Sequence, residues 1–172
     1  SGTKITQELL EDSKKLQIIG RAGVGTDNID IDYATTKGVI VMNVPDGNTI
    51  SAAEHTTAMM LALSRNIYEG HSSLMRGEWN RSSLVGNELR DKVLGVVGLG
   101  KIGREVIKRS LSYDMKILGY DPYVNKDQFN EDEVKVVELD YLVENSDFIT
   151  LHLPINKNTK NLFNYDKIKK MK

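Results

Sequence analysis

The chain has 172 residues, 40% hydrophobic and 27% charged, with no Cys and a formal net charge of −1. This is a globular composition, sized between one domain and two small pieces, and it excludes a disulfide framework and a thiolate zinc site. The near-neutral charge gives no basic footprint for nucleic acid, and no apolar run approaches the roughly 20 residues a bilayer span needs.

Both ends look cut. Ser1 is not a Met and opens almost directly into a helical segment, and Lys172 follows a Lys-rich turn, KIKKMK. Those lysines read as a solvated helix end rather than a nucleic-acid tail. Thr6 is placed to cap a helix running to about Lys15, with Glu8 in its first turn. Leu16 to Gly20 reads as a short buried strand. It leads into a loop, Arg21 to Asn28, whose Gly23 and Gly25 can expose consecutive N–H groups as an anion nest, or can simply turn the chain. Arg21 there can pair bidentately with a substrate phosphate or carboxylate, or with Asp27 or Asp30 nearby. Asp30 or Asp32 then starts a short helix ended by Gly38, and Val39 to Met42 forms the next strand. Alternating strand and helix implies a parallel sheet.

Pro45-Asp46-Gly47-Asn48 breaks the pattern and marks a boundary. A long helix is predicted from about Ser51 to Glu69, capped by Ser51 or Thr49, with Ser51 and Glu54 at capping-box spacing. Its apolar content covers much of its circumference. That suits core packing, or a helix covered on one face by its own domain and on the other by a partner subunit. Met75 to Asp91 is a polar connection holding the only Trp, Trp79.

The next segment is the most informative. An apolar strand, Val93 to Val97, runs into Gly98-x-Gly100-x-x-Gly103, then a helix from Ile102 to about Leu111 and a strand from Lys116 to Tyr120. That strand ends on Asp121, 18 residues beyond Gly103. Strand, loop, helix, strand and acidic terminus fall at the spacing of a dinucleotide site. Gly98 permits the tight turn, Gly100 lets the backbone approach a pyrophosphate, and Gly103 lets helix and strand pack closely. The helix start offers free N–H groups and positive dipole to the phosphates. Asp121 can accept hydrogen bonds from ribose hydroxyls and would repel a 2′-phosphate, and no Arg or Lys follows it directly, so NAD is favoured over NADP. Beyond it come a helix at about Lys126 to Glu131, a strand around Val134 to Val137, a helical turn at Asp140 to Asn145, and a buried strand, Phe148 to His152, ending at Pro154.

Taken together, RAGVGTDNID (21–30), GNTISAAEHT (47–56), GNELRDKVLGVVGLGKIGREV (86–106), GYDPY (119–123) and DFITLHLP (147–154) resemble the D-isomer-specific 2-hydroxyacid dehydrogenases, most closely their D-3-phosphoglycerate dehydrogenase branch. The resemblance covers essentially the whole chain, in order. It implies an α/β protein: the tail of a flavodoxin-like substrate domain in residues 1–44, and the first half of a Rossmann-type doubly wound NAD-binding domain in residues 45–172. By position in the matched motifs, Gly98, Gly100, Lys101, Ile102 and Gly103 would hold the pyrophosphate, Asp121 the ribose, and Leu153 would pack near the adenosine. Val24 and Gly25 would turn backbone amides towards substrate carboxylate and nicotinamide, with Arg21 on the substrate. Asn48 would lie at an interdomain cleft. The 51–69 helix would join a homo-oligomer.

The implied reaction passes a hydride between nicotinamide C4 and the 2-carbon of a hydroxy or keto acid. The substrate implied is 3-phosphoglycerate, at the entry to serine synthesis, in the cytoplasm. Glyoxylate, hydroxypyruvate and D-lactate enzymes share much of the pattern, and corepressor relatives with this fold sense NAD(H) instead. The family's catalytic Arg, Glu and His would all lie beyond Lys172. His55, His71 and His152 do not stand in for them, and no metal ligand set is expected. The chain alone is therefore expected to be catalytically inactive, with an open sheet edge that makes it aggregation-prone.

Overall fold

The computed structural model describes residues 3–172, and the expectation attached to Ser1 lies outside the described residues. The chain divides into two compact units, one ending at Asn48 and the other starting at Thr49.

In the first unit, helix α1 (Gln7–Asp12) precedes strand β1 (Ile18–Arg21), helix α2 (Ile31–Thr36) and strand β2 (Ile40–Asn43). The two strands pair in parallel from Ile18 beside Ile40 to Arg21 beside Asn43. Leu10, Ile19, Ile29, Ala34 and Val39 form the core beneath them. Thr6 occupies the cap position of α1 without a side-chain bond, and the helix stops at Asp12, short of Lys15. The Ser13 hydroxyl donates to the Leu9 carbonyl (2.8 Å), a local bond that competes with helix continuation. Of the two candidate caps for α2, Asp30 is the one used: its carboxylate accepts from the Tyr33 amide at 2.9 Å. Gly38, at φ +70°, ends the segment.

The second unit starts with helices α3 (Thr49–Ser64) and α4 (Ile67–Met75), where one helix over 51–69 was expected. Asn66 adopts a left-handed conformation, φ 53°, and breaks the run. The freed carbonyl of Ser64 accepts from the Asn87 amide at 2.7 Å, and the Asn66 side chain donates to the Val85 carbonyl at 3.2 Å. Gly86 fits between them, since a Cβ there would lie 2.3 Å from the Ser64 oxygen. The break is thus made by a segment some twenty residues downstream. Because α3 starts at Thr49, Ser51 lies inside the helix and not at its cap position. Glu54 instead faces Arg109 at 3.9 Å.

Strand β3 (Val93–Val97) leads through the glycine-rich loop to helix α5 (Lys101–Leu111) and strand β4 (Lys116–Tyr120). Strand β5 (Val134–Val136), helix α6 (Leu139–Asn145), strand β6 (Phe148–Leu151) and helix α7 (Tyr165–Lys169) follow. Only residues 126–128 of the expected 126–131 helix turn helically, as a short 3-10 element. The four strands pair in parallel in the order β5-β4-β3-β6. β3 is buried on both faces. Leu94 and Val96 pack with Val106 and Ile107 of α5 and with Ala53 and Met60 of α3. Val97 packs with Leu142 and Val143 of α6, and Gly95 lies against the Leu142 side chain. Each fully buried Leu or Val contributes roughly 1.5–3 kcal/mol, so this central strand anchors the loop that follows it.

Numbered from β3, the sheet runs 3-2-1-4. Such a doubly wound sheet reverses direction between its first and fourth strands, and ligands bind at the carboxyl ends of the strands there. In this chain that point lies between β3 and β6. Among the described residues, no helix is long and apolar enough to cross a membrane.

Candidate functional site

Three segments meet at the carboxyl end of β3. Gly98 turns the chain at φ +99°, and a Cβ on it would stand 2.4 Å from the His152 carbonyl oxygen and 2.9 Å from the Leu153 side chain. Leu153 is therefore seated against the loop, at the end of β6. Gly103, on the first turn of α5, has the Gly98 carbonyl oxygen 2.1 Å from where a Cβ would be, so helix and loop touch backbone to backbone. Asp121, at the tip of β4, accepts from the Leu99 amide (2.9 Å) through Oδ2 and from the Tyr123 amide (2.9 Å) through Oδ1. A carboxylate has about four acceptor sites, so it can still take ribose hydroxyls.

Gly100 needs a different explanation. Its φ of −74° suits any residue, and a Cβ there would meet nothing within 4 Å. The protein itself makes no demand for glycine at this position; an occupant of the open space in front of it would. The first backbone bond of α5 runs from the Arg104 amide to the Gly100 carbonyl (3.0 Å). As at any helix start, the amides before it have no partner within the helix. No side chain caps α5. Ile102 is half-buried and Lys101 exposed on the same turn. A glycine with open space before it, an uncapped helix start and a carboxylate on the neighbouring strand fit a dinucleotide pyrophosphate and ribose.

The sequence reading missed Arg104. Its Nε donates to the Leu99 carbonyl (3.0 Å), a terminal nitrogen donates to Gln128 Oε1 (2.9 Å), and its guanidinium lies 4.4 Å from the centre of the Phe129 ring. The only signal for it was its place directly after Gly103.

In the first unit, a cavity of about 740 Å³ is lined by Arg21, Gly23, Asn28, Gly47 and Asn48, over Ile5 and Ile19. Arg21 folds over Gly23, with one terminal nitrogen 1.8 Å from where a Cβ would sit. Its Nε is buried without a hydrogen-bond partner, and among the described residues it forms no ion pair with Asp27 or Asp30. A buried guanidinium nitrogen left unpartnered beside a cavity suits an anionic ligand. Val24 and Gly25 stand outside this lining, and the Val24 carbonyl accepts from the Asn43 side chain at 2.8 Å. His55 and His71 are exposed on α3 and α4. His152 is half-buried, 3.0 Å from the Thr150 hydroxyl, and burial pushes its pKa below the ordinary value.

Residues 57–172 match the profile of the D-isomer specific 2-hydroxyacid dehydrogenase NAD binding domain. The chain belongs to that family. It is 48% identical over its whole length to a D-3-phosphoglycerate dehydrogenase of Methanocaldococcus jannaschii and 46% identical to that of Bacillus subtilis. It spans about a third (33%) of the length of each. Among solved structures, an NAD-dependent formate dehydrogenase from Staphylococcus aureus in complex with NAD superposes with a TM-score of 0.88 at 37% identity, over 98% of this chain and 51% of that one. A D-lactate dehydrogenase from Aquifex aeolicus complexed with NAD and lactic acid gives 0.88 at 36%, with the same coverage. The parallel sheet is thus the Rossmann-type sheet of this family, and NAD is the cofactor its domain takes.

Proposed function

We propose that this chain is the cofactor-binding portion of an NAD-dependent D-3-phosphoglycerate dehydrogenase, which oxidises 3-phosphoglycerate to 3-phosphohydroxypyruvate for serine synthesis in the cytoplasm. The observation that carries the reading is Asp121 at the tip of β4, bonded to the glycine-rich loop at the strand-order reversal. When bound, NAD supplies the nicotinamide C4 that accepts the hydride.

The chain's own residues hold and orient. Gly98, Gly100, Lys101, Ile102 and Gly103 receive the pyrophosphate, Asp121 the adenosine ribose, and Leu153 walls the adenosine side. Residues 1–44 act as the tail of the substrate domain and residues 45–172 as the start of the NAD-binding domain. Arg21 and Asn48 meet the substrate's anionic groups, supported by the unpartnered Arg21 Nε and by the shared cavity. Val24 and Gly25 present amides to substrate carboxylate and nicotinamide. No acid/base role is assigned to His55, His71 or His152. A homo-oligomer forms through residues 51–69, where α3 and the start of α4 leave Met59, Leu63, Ile67 and Tyr68 exposed.

The test is to assay the full-length protein for NAD-dependent oxidation of 3-phosphoglycerate, beside reduction of pyruvate, glyoxylate and hydroxypyruvate. Preference for 3-phosphoglycerate is expected. Turnover confined to one of the keto acids would move the substrate assignment, and failure to bind NADH would remove the cofactor role.

A further inference from the structure

We propose that Arg104 is a positioning residue for the pyrophosphate loop, acting with Asp121 as a two-sided clamp on the two peptides that flank Leu99; this rests on the cofactor reading above. Leu99 is the residue between Gly98 and Gly100, and its side chain is completely buried. Its amide is held by the Asp121 carboxylate at 2.9 Å, and its carbonyl by Arg104 Nε at 3.0 Å. The two successive peptides that flank the Leu99 Cα are thus each bonded to a charged side chain, and such bonds are stronger than neutral ones. Arg104, from α5, fixes the Leu99–Gly100 peptide plane that sets the direction of the Gly100 amide, while Asp121, at the tip of β4, fixes the Gly98–Leu99 plane before it.

Arg104 is itself restrained. Gln128 takes one terminal nitrogen at 2.9 Å and the Phe129 ring covers one face at 4.4 Å. With Nε committed to Leu99, its planar fork has little freedom to swing towards a ligand. Its place is also electrostatically adverse, because a cation on the first turn opposes the helix dipole. The Leu99 carbonyl, Gln128 and Phe129 offset that cost. Arg104 is exposed, yet its Nε reaches back over the turn to residue 99. Gln128 and Phe129 tie the clamp to the segment just beyond Asp121, so loop geometry and ribose end are set by one connected group of side chains.

The experiment uses the protein with Arg104→Ala and Arg104→Lys, read in two ways. Without ligand, amide hydrogen exchange at Leu99 and Gly100 should speed up in Arg104→Ala while β3 and β4 keep their protection, and Arg104→Lys should restore part of it. With ligand, NADH and ADP should each bind about tenfold more weakly to Arg104→Ala, equivalent to about 1.4 kcal/mol. Adenosine, which lacks the pyrophosphate, should bind as before. Unchanged exchange together with unchanged ADP affinity would overturn the clamp while leaving the cofactor role of the chain intact. Equal weakening of adenosine and ADP, with protection lost throughout β3 and β4, would make Arg104 merely structural and overturn it too. An unmodified protein that binds no NADH would bring down the cofactor reading and this proposal together.

Discussion

The Gly98 carbonyl oxygen stands 2.1 Å from the place a Cβ on Gly103 would occupy. Two backbone segments, the loop's first residue and the helix's first turn, are in contact there with no side chain between them. A methyl group at 103 must push backbone against backbone, which a rotamer change cannot relieve. Gly103→Ala is expected to lower stability by about 1–3 kcal/mol, the usual range for overpacking, and to weaken NADH binding as the loop shifts. Urea denaturation checks the first effect, and wild-type stability would mean the contact is not tight.

Gly100 gives the opposite separation. Nothing in the protein lies within 4 Å of a Cβ there, so Gly100→Val should cost no more than about 1 kcal/mol, through the weaker cap preference. NADH binding should nevertheless be abolished by steric conflict with the pyrophosphate. Fluorescence titration with NADH decides it, and tight binding by the variant would mean that this open space is not the phosphate seat.

Asp121→Ala should weaken NAD binding and relax discrimination against NADP. The structure adds a second cost, because the Leu99 amide loses its charged acceptor, worth about 1.5–3 kcal/mol for such a bond. Asp121→Asn keeps an oxygen acceptor, so it should recover stability more than NAD affinity. Parallel titrations with NADH and NADPH beside thermal melts test this. Equal NADH affinity in all three proteins would take Asp121 out of the ribose role.

Asn66→Ala should destabilise by about 1–2 kcal/mol, because a left-handed residue without a local hydrogen bond pays the Cβ–carbonyl clash. Asn66→Gly should cost less, although it also loses the bond to the Val85 carbonyl. If alanine is tolerated as well as glycine, the break between α3 and α4 does not depend on the conformation of residue 66.

These positions also mark how far sequence reasoning reaches. The β3–loop–α5–β4–Asp121 unit was legible because its demands are local: two apolar strands, a positive φ at Gly98, a close approach at Gly103 and a carboxylate at a strand end. The helix break was not. Local helical preference carries on through Ser64 and Ile67, and the segment that takes over the Ser64 carbonyl, around Gly86 and Asn87, lies far away in the chain. Arg104 was missed for a similar reason, since its bonds to Gln128 and Phe129 bridge more than twenty residues. For Arg21 the sequence left a choice between a local aspartate and a ligand, and only three-dimensional packing separated its Nε from Asp27 and Asp30.

His152 gives a pH-dependent prediction. Burial lowers its pKa from the ordinary 6.5, so the folded protein binds this proton less readily than the unfolded chain. Stability from the neutral ring is therefore complete above the unfolded value. It declines as pH falls through that value towards the lower, folded one, where the unfolded state takes up the proton first. Its neighbour, the Thr150 hydroxyl at 3.0 Å, can bond either ring state and does not reverse the sign. His152→Gln should flatten the fall in urea midpoint between about pH 7.5 and about pH 5. The variant's absolute stability at the higher pH matters less than this difference. An equally steep fall in wild type and variant would show that other groups, such as the paired carboxylates, carry the acid sensitivity of this part of the sheet.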